Sequence, residues 1–183
     1  MGEKNAVKVP SDFDKYKVLD NINQWCNNCD TKASIVLATL GVFLSFVFSS
    51  DIGKFMAETI KLSLQDIMVC NVLYLSIMLI GLALLLVGCY NLVKSLIPII
   101  DLKRKSLTFF GNIASYKSFE EYYENVMSSE NEDLELDLLG QIYAASIICE
   151  RKFRNQKRGV VLSFLGISVL MFWMLIGFLV YYL

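Results

Sequence analysis

The residues best equipped for chemistry in this chain crowd into one short run: Asn23, Trp25, Asn28, Asp30, Thr31, Lys32, Ala33 and Ser34, in the pattern N-x-W-x-x-N-x-D-T-K-A-S. The run sets a carboxylate, an ammonium group, amides and an indole where a charged segment gives way to an uncharged apolar one. Trp25 and Lys32 suit plain anchoring there, the indole among lipid headgroups and the lysine reaching back to water. Asp30 does not. A carboxylate beside a membrane boundary is costly unless paired, and Lys32, Arg151 or Lys152 is the cation expected to pair with it. The chain has no histidine, which removes the commonest general base and metal ligand and, with them, the usual hydrolase triads; no enzyme activity is expected. Cys26 and Cys29 form a C-x-x-C pair, a spacing found in redox and zinc sites. No second cysteine or histidine pair stands by to complete four ligands, so the other reading is two small packing residues on a helix face. The five cysteines lack framework spacing and fit a reducing compartment or lipid surroundings.

The elements that position these groups are helical. Three uncharged apolar stretches, Ala33 to Ser50, Ile67 to Val93 and Gly159 to Leu183, each approach or exceed the roughly 20 residues needed to cross a bilayer. The expected fold is an all-α membrane protein with three transmembrane helices and a cytoplasmic helical bundle. Extensions of the first and last spans and the 94–158 connection build that bundle. The expected boundaries are a cytoplasmic amino-terminal helix over 1–32, spans at 33–50, 67–97 and 159–183, a short external loop at 51–66 and a cytoplasmic helical region at 98–158. Lysine and arginine fix the orientation: five precede the first span, two lie in the 51–66 loop and ten fall between 94 and 158. The positive-inside rule then puts the amino terminus and the long connection in the cytoplasm. The first 32 residues mix five lysines with five acids, unlike a signal peptide, so this segment is expected to be retained.

Pro10 and Ser11-Asp12 read as a helix start. Phe13, Tyr16, Leu19, Ile22, Trp25 and Cys29 follow at spacings of three and four, one face of a helix that runs on to about Ser50. Leu134, Leu138, Ile142, Ala145, Cys149 and Phe153 form a second stripe, leading through Arg151, Lys152, Arg154, Lys157 and Arg158 into the last span. Pro98, Gly111 and Ser128–Asp133 mark turns. Gly41, Ser45 and Ser49, and Ser76, Gly81 and Gly88, are small residues on faces of the first and second spans. They serve either packing within one chain or a homo-oligomeric interface. Tyr181 and Tyr182 suit an interfacial aromatic belt. A net charge of −1 gives no argument for nucleic-acid binding.

At three places the chain resembles a known family, the bacterial Pycsar transmembrane effectors. The matching residues are Trp25 with Asp30 to Ala33, entering the first span; Phe109 to Ser115, a turn after the second; and Gln141, Ile142, Ser146, Ile148, Arg151, Lys152, Phe153 and Arg154, leading into the last. Cys29 stands where the family usually has a small residue, and Asn112 where it has an acid. The resemblance implies an antiphage defence effector in the cell inner membrane. A partner cyclase makes a cyclic nucleotide, expected to be a cyclic pyrimidine mononucleotide, and the membrane protein responds by impairing membrane integrity, so that infection aborts. No β-roll nucleotide domain is evident, so the activating ligand would bind among helices, within one chain or between protomers. The candidate ligand-binding residues are Trp25, Asn28, Asp30, Lys32, Phe109, Asn112, Tyr116, Gln141, Arg151, Lys152 and Arg154. Arginine or lysine would hold the phosphate and Trp25, Phe109 or Tyr116 would stack on the base. No other cofactor and no metal is expected. Membrane lipid, the cyclase's nucleotide and further copies of the chain are the expected partners. The competing reading is a membrane scaffold or assembly subunit whose apolar stripes hold a protein partner.

Overall fold

A computed structural model describes residues 13–65, 69–97 and 106–182, and among these the chain is entirely helical outside its turns. The helices are α1 (Lys15–Val47), α2 (Ser50–Gln65), α3 (Val69–Leu96), α4 (Phe110–Ile113), α5 (Phe119–Met127) and α6 (Asn131–Tyr182). Three of them, α1, α3 and α6, contain stretches long and apolar enough to cross a membrane. Contacts divide the chain into two units. Met1–Cys26 with Ile99–Cys149 forms the first, and Asn27–Pro98 with Glu150–Leu183 the second. The stretch expected as an external loop at 51–66 is instead helical, as α2. Its Thr59 and Ser63 are buried, and both hydroxyls donate to carbonyls one turn back, at 2.8 Å. These back-bonds satisfy hydroxyls that burial would otherwise strand.

The second unit is held by a close antiparallel contact of α3 with α6. Glycines make it possible. A methyl group on Gly166 would lie 2.6 Å from the Leu85 backbone nitrogen, one on Gly88 2.6 Å from that of Ser163, and one on Gly159 2.9 Å from that of Leu92. Gly81 faces the Leu170 side chain and Gly177 that of Tyr74, so each step forward on α3 is a step back on α6. Into this pair α1 packs Ala33 and Leu40, with Val36, Leu37 and Leu44 beside them, against Leu85, Leu92, Val160 and Ile167. Tyr74 and Trp173 stack at 5.0 Å, and Phe55 of α2 meets Phe178 at 6.5 Å. Several outward polar side chains on the spans satisfy themselves on their own helix: Thr39 donates to Ile35 O at 2.9 Å, Ser76 to Val72 O at 2.7 Å and Ser168 to Phe164 O at 2.9 Å. That leaves the outward faces free for lipid.

Burial along α6 follows one rule. Leu138, Ile142, Ala145, Cys149, Lys152, Gln156, Gly159, Ser163, Gly166, Leu170, Trp173 and Gly177 are buried or half-buried and alternate at spacings of four and three. This is the 3.5-residue repeat of a left-handed supercoil. The expected stripe therefore holds through Cys149 and then departs from it. Phe153 is 40% exposed and Lys152 takes the inward place. On α1 the expected Tyr16 and Trp25 are likewise outside, at 75% and 61% exposure, while Leu19, Ile22, Cys26 and Cys29 keep the inner face. Both departures have one cause: aromatic residues draw the stripe onto spacings that break the alternation of four and three, whereas the repeat places inward whichever residue falls at the right angle.

In the first unit, Lys15 pairs with Glu135 at 2.8 Å, and the Tyr122 hydroxyl donates to Leu107 O at 3.2 Å. Tyr116 packs on Tyr122 at 5.4 Å. Helix α5 starts at Ser118, whose side chain accepts from the Glu121 amide, while Glu121 accepts from the Lys117 amide, a variant of the capping box. The Glu120 carboxyl in its first turn is held below its ordinary value by its own backbone N–H and then by Ser118. Gly111, expected at a turn, lies within α4, whereas the break at Ser128–Glu130 between α5 and α6 falls where the sequence put it. Pro10, Ser11, Asp12 and Pro98, and the side chains of Tyr181 and Tyr182, lie outside the described residues.

Of the small residues on the spans, Gly81 and Gly88 serve packing within the chain, but Gly41 has no atom within 4 Å of where its methyl would be. Gly88→Ala and Gly166→Ala should therefore force α3 and α6 apart, at about 1–3 kcal/mol each, as for other overpacked sites. Gly41→Ala should be neutral or slightly stabilising, since alanine is the better helix former. Thermal unfolding of the three variants in detergent reads the difference.

Candidate functional site

In the second unit, the inward positions of α6 just ahead of the apolar run are polar: Lys152 and Gln156, one turn apart. Lys152 Nζ donates to both oxygens of Asp30 on α1, at 2.7 and 2.6 Å. The lysine side chain is 10% exposed and the aspartate 34%, so the ammonium group is nearly buried and the carboxylate retains contact with solvent. Next to the pair, the Cys29 thiol donates to Gln156 Oε1 at 3.2 Å, and Gln156 Nε2 donates to the Cys29 carbonyl at 3.4 Å. Asp30, Lys152, Cys29 and Gln156 make one satisfied polar layer between α1 and α6. Directly after it come Ala33, buried in the core with Leu85 and Leu92, and Gly159, which lets α6 close up on α3.

Of the three cations expected for Asp30, geometry selects Lys152. Lys32 and Arg151 are exposed. Arg154 is also exposed, and its guanidinium pairs with Glu150 at 2.6 Å. Asn28 is exposed. The C-x-x-C pair is split by the helix: Cys29 is buried on Gln156, and Cys26 is half-buried. Among the described residues no group of histidine, cysteine or acid side chains could hold a metal ion.

The remaining candidates, Trp25, Phe109, Asn112, Tyr116 and Gln141, belong to the first unit, where a second polar cluster lies. One oxygen of Asp137 accepts from the Ser106 hydroxyl at 2.9 Å, the Leu107 amide at 3.0 Å, the Thr108 amide at 3.2 Å and the Thr108 hydroxyl at 2.7 Å. Ser106, buried, in turn accepts from the Phe109 amide at 3.0 Å and from Gln141 Nε2 at 3.0 Å, and Gln141 also reaches the Thr108 hydroxyl. Gln141 is thus committed to holding the segment ahead of α4. Phe109 is half-buried against Phe110, ring to ring at 4.6 Å. Asn112 and Tyr116 are half-buried, and Trp25 is exposed.

Sequence reasoning missed Gln156, Asp137, Ser106 and Thr108. Gln156 was legible: continuing the four-three spacing from Cys149 through 152 leads to it. Asp137 adjoins the inward Leu138 without falling on the stripe, and only the folded-back segment 106–109 reveals its role.

The sequence model of the Pycsar effector protein domain matches residues 15–180. This chain belongs to the Pycsar effector family. One family member similar to it, the Pycsar effector protein GmPycTM of Gulbenkiania mobilis, is 33% identical over 160 residues, covering 79% of this chain and 81% of the relative. No solved structure matches the chain. Both polar clusters, and all three stretches that carried the resemblance, fall inside the matched residues.

Asp30→Ala strands a nearly buried ammonium group. The cost should lie below the ~3–5 kcal/mol of a fully buried broken pair, because water reaches the aspartate side. In the double variant Asp30→Ala/Lys152→Met no charge is left behind, and most of the loss should return. A four-member thermal-unfolding cycle checks this; equal stability of Asp30→Ala and wild type would make the pair a solvated contact. Asp137→Ala removes every bond its carboxylate makes to 106–108. Amide exchange at Leu107 and Thr108 should rise, on the scale of hydrogen bonds to charged groups, about 1.5–3 kcal/mol, while the spans keep their protection.

Proposed function

We propose that this chain is the membrane-acting effector of an antiphage defence system: a cyclic nucleotide made by a partner cyclase during infection switches it, and it then impairs the inner membrane so that the cell dies before phage matures. The observation that carries the reading is the family match over residues 15–180. It spans the apolar helices and the charged segments together, so a sensing part and a membrane part belong to one module. The charge asymmetry supports an orientation with the amino terminus and residues 94–158 in the cytoplasm, where the cyclase product would be found.

The activating ligand is proposed to be a cyclic pyrimidine mononucleotide, and the chain to act as a homo-oligomer. In the second unit Lys32 and Arg151, both exposed and outside the Asp30 pair, are the candidate cations for the phosphate. In the first unit the exposed ring of Trp25 and the half-buried Phe109 and Tyr116 are the candidate aromatics for the base. Lys152 and Gln141 are engaged within the protein and serve to hold the helices. A ligand moves an equilibrium only by its differential affinity for two states, so the nucleotide must prefer a rearranged packing of the helices. None of the three apolar stretches, 33–50, 67–93 and 159–183, contains a charged residue, which favours leakage through rearranged or reassociated helices over an ion-selective pore.

Cyclic CMP or cyclic UMP added to liposomes holding the purified chain should release a trapped dye, with cyclic AMP as the comparison. In cells, activating the cyclase should depolarise the membrane. Arg151→Glu and Trp25→Ala should abolish both responses without preventing insertion. A folded preparation that leaks with no cyclic mononucleotide, and whose melting temperature no nucleotide shifts, would assign the chain to the scaffold class.

A further inference from the structure

The surface of α6 just ahead of its apolar run carries a cationic face whose three cations neither polar cluster uses. Two adjoining shallow, open depressions of about 530 and 450 Å³ lie there, and Arg154, Lys157 and Val161 line both. Arg158 and Leu162 extend the second. Arg154, Lys157, Arg158 and Val161 are spaced i, i+3, i+4 and i+7, so they share one side of the helix. Arg158 is the last charge before the 25 uncharged residues from Gly159 to Leu183. Charge therefore changes to hydrocarbon within the length of this face, about 10 Å from Arg154 to Val161 at 1.5 Å per residue. Helical side chains lean toward the amino terminus: the cations lean away from the apolar run and Val161 leans toward them. The one acid among the described lining residues is Glu150, and Arg154 neutralises it at 2.6 Å. Lys157 and Arg158 are exposed.

We propose that this face is a binding site for an anionic phospholipid, with the phosphodiester on Arg154, Lys157 and Arg158 and the first methylenes of the acyl chains on Val161 and Leu162. The chemistry separates this occupant from a soluble phosphate or nucleotide. A free anion would use the cations and leave the apolar part of the face against water, whereas a phospholipid covers both. Charge selects the headgroup: a zwitterionic lipid offers the same phosphate but brings an ammonium group of its own toward three cations. The site does not depend on the nucleotide response proposed above, and either can fail alone.

Native mass spectrometry of the purified full chain, with phosphatidylglycerol and phosphatidylcholine added in equal amounts, tests the proposal. Wild type should retain phosphatidylglycerol in preference, and inorganic phosphate in the millimolar range should not displace it. Lys157→Gln/Arg158→Gln should weaken retention on the order of tenfold or more, as two surface cations near anionic lipid contribute, and each single variant should lose part of it. Lys94→Gln/Lys117→Gln, which removes the same charge elsewhere, should retain the lipid as wild type does. Equal retention of the two lipids, or displacement by inorganic phosphate, would overturn the proposal. So would an equal loss in both double variants, which would mean a diffuse surface potential rather than a site.

Discussion

Lipid tails are as apolar as leucine, so three spans gain nothing by burying leucine against one another unless they also pack more closely than lipid does. The close approach of α3 and α6 is the contact that meets this condition. Where Gly88, Gly159 and Gly166 stand, even one methyl group would fall inside the van der Waals distance of the facing backbone. The antiparallel register fixed there determines which faces of the pair remain for α1, whose Ala33 and Leu40 complete the second unit. The placement of the polar layer also follows. Because α6 keeps its 3.5-residue repeat, the inward positions immediately before Gly159 must be 156 and 152, whatever residues occupy them.

That Lys152 and Gln156 occupy those positions has an energetic consequence. A buried ion pair is seldom more stable than a well-packed apolar substitute of the same volume, and its best-attested use is to fix register. Here the pair is unequal, with the lysine nearly buried and the aspartate about a third exposed. Sliding α1 by one turn against α6 would bring Ala33 or Cys26 opposite Lys152 in place of Asp30, leaving an ammonium group without a counter-charge. Cys29 and Gln156 add two weaker bonds with the same demand on register. The layer thus penalises wrong alignments more than it stabilises the right one.

The sequence made the helices, the three apolar stretches and the pairing of Asp30 with a basic residue readable, because each rests on composition or on a charge that cannot be left alone near lipid. It was less informative where periodicity and residue type disagreed. Phe153, Tyr16 and Trp25 fall on loosely spaced apolar stripes and are exposed, while Lys152, one of three cations offered to Asp30, is buried. Strict alternation of four and three, which skips all three aromatic positions, is the better guide than a looser spacing of three or four. α2 was missed for a different reason: Thr59, Ser63 and Glu58 dilute its apolar residues, and its inward face becomes apparent only when Phe55 finds Phe178. The Asp137 cluster depends on a segment returning to a helix roughly thirty residues further along the chain, a relation no local pattern carries.

If the proposed function holds, the polar layer also sets the scale of the switch. Taking a two-state equilibrium from about 1:99 to 99:1 requires a ligand to favour one state by ~5.5 kcal/mol. A micromolar ligand has about 8 kcal/mol of binding free energy in total, and only the difference between states counts. An ion pair that costs a few kcal/mol to break, in a site partly open to water, can therefore supply most of the resting bias without putting activation beyond a small molecule's reach. A fully buried pair with several further bonds would hold the helices shut against any such ligand, and an exposed one, contributing ~0–1 kcal/mol, would leave the effector partly active without infection. The half-open setting of Asp30 lies between those limits. Under the proposed function, that intermediate strength gives the carboxylate at this membrane boundary a role that anchoring alone does not supply.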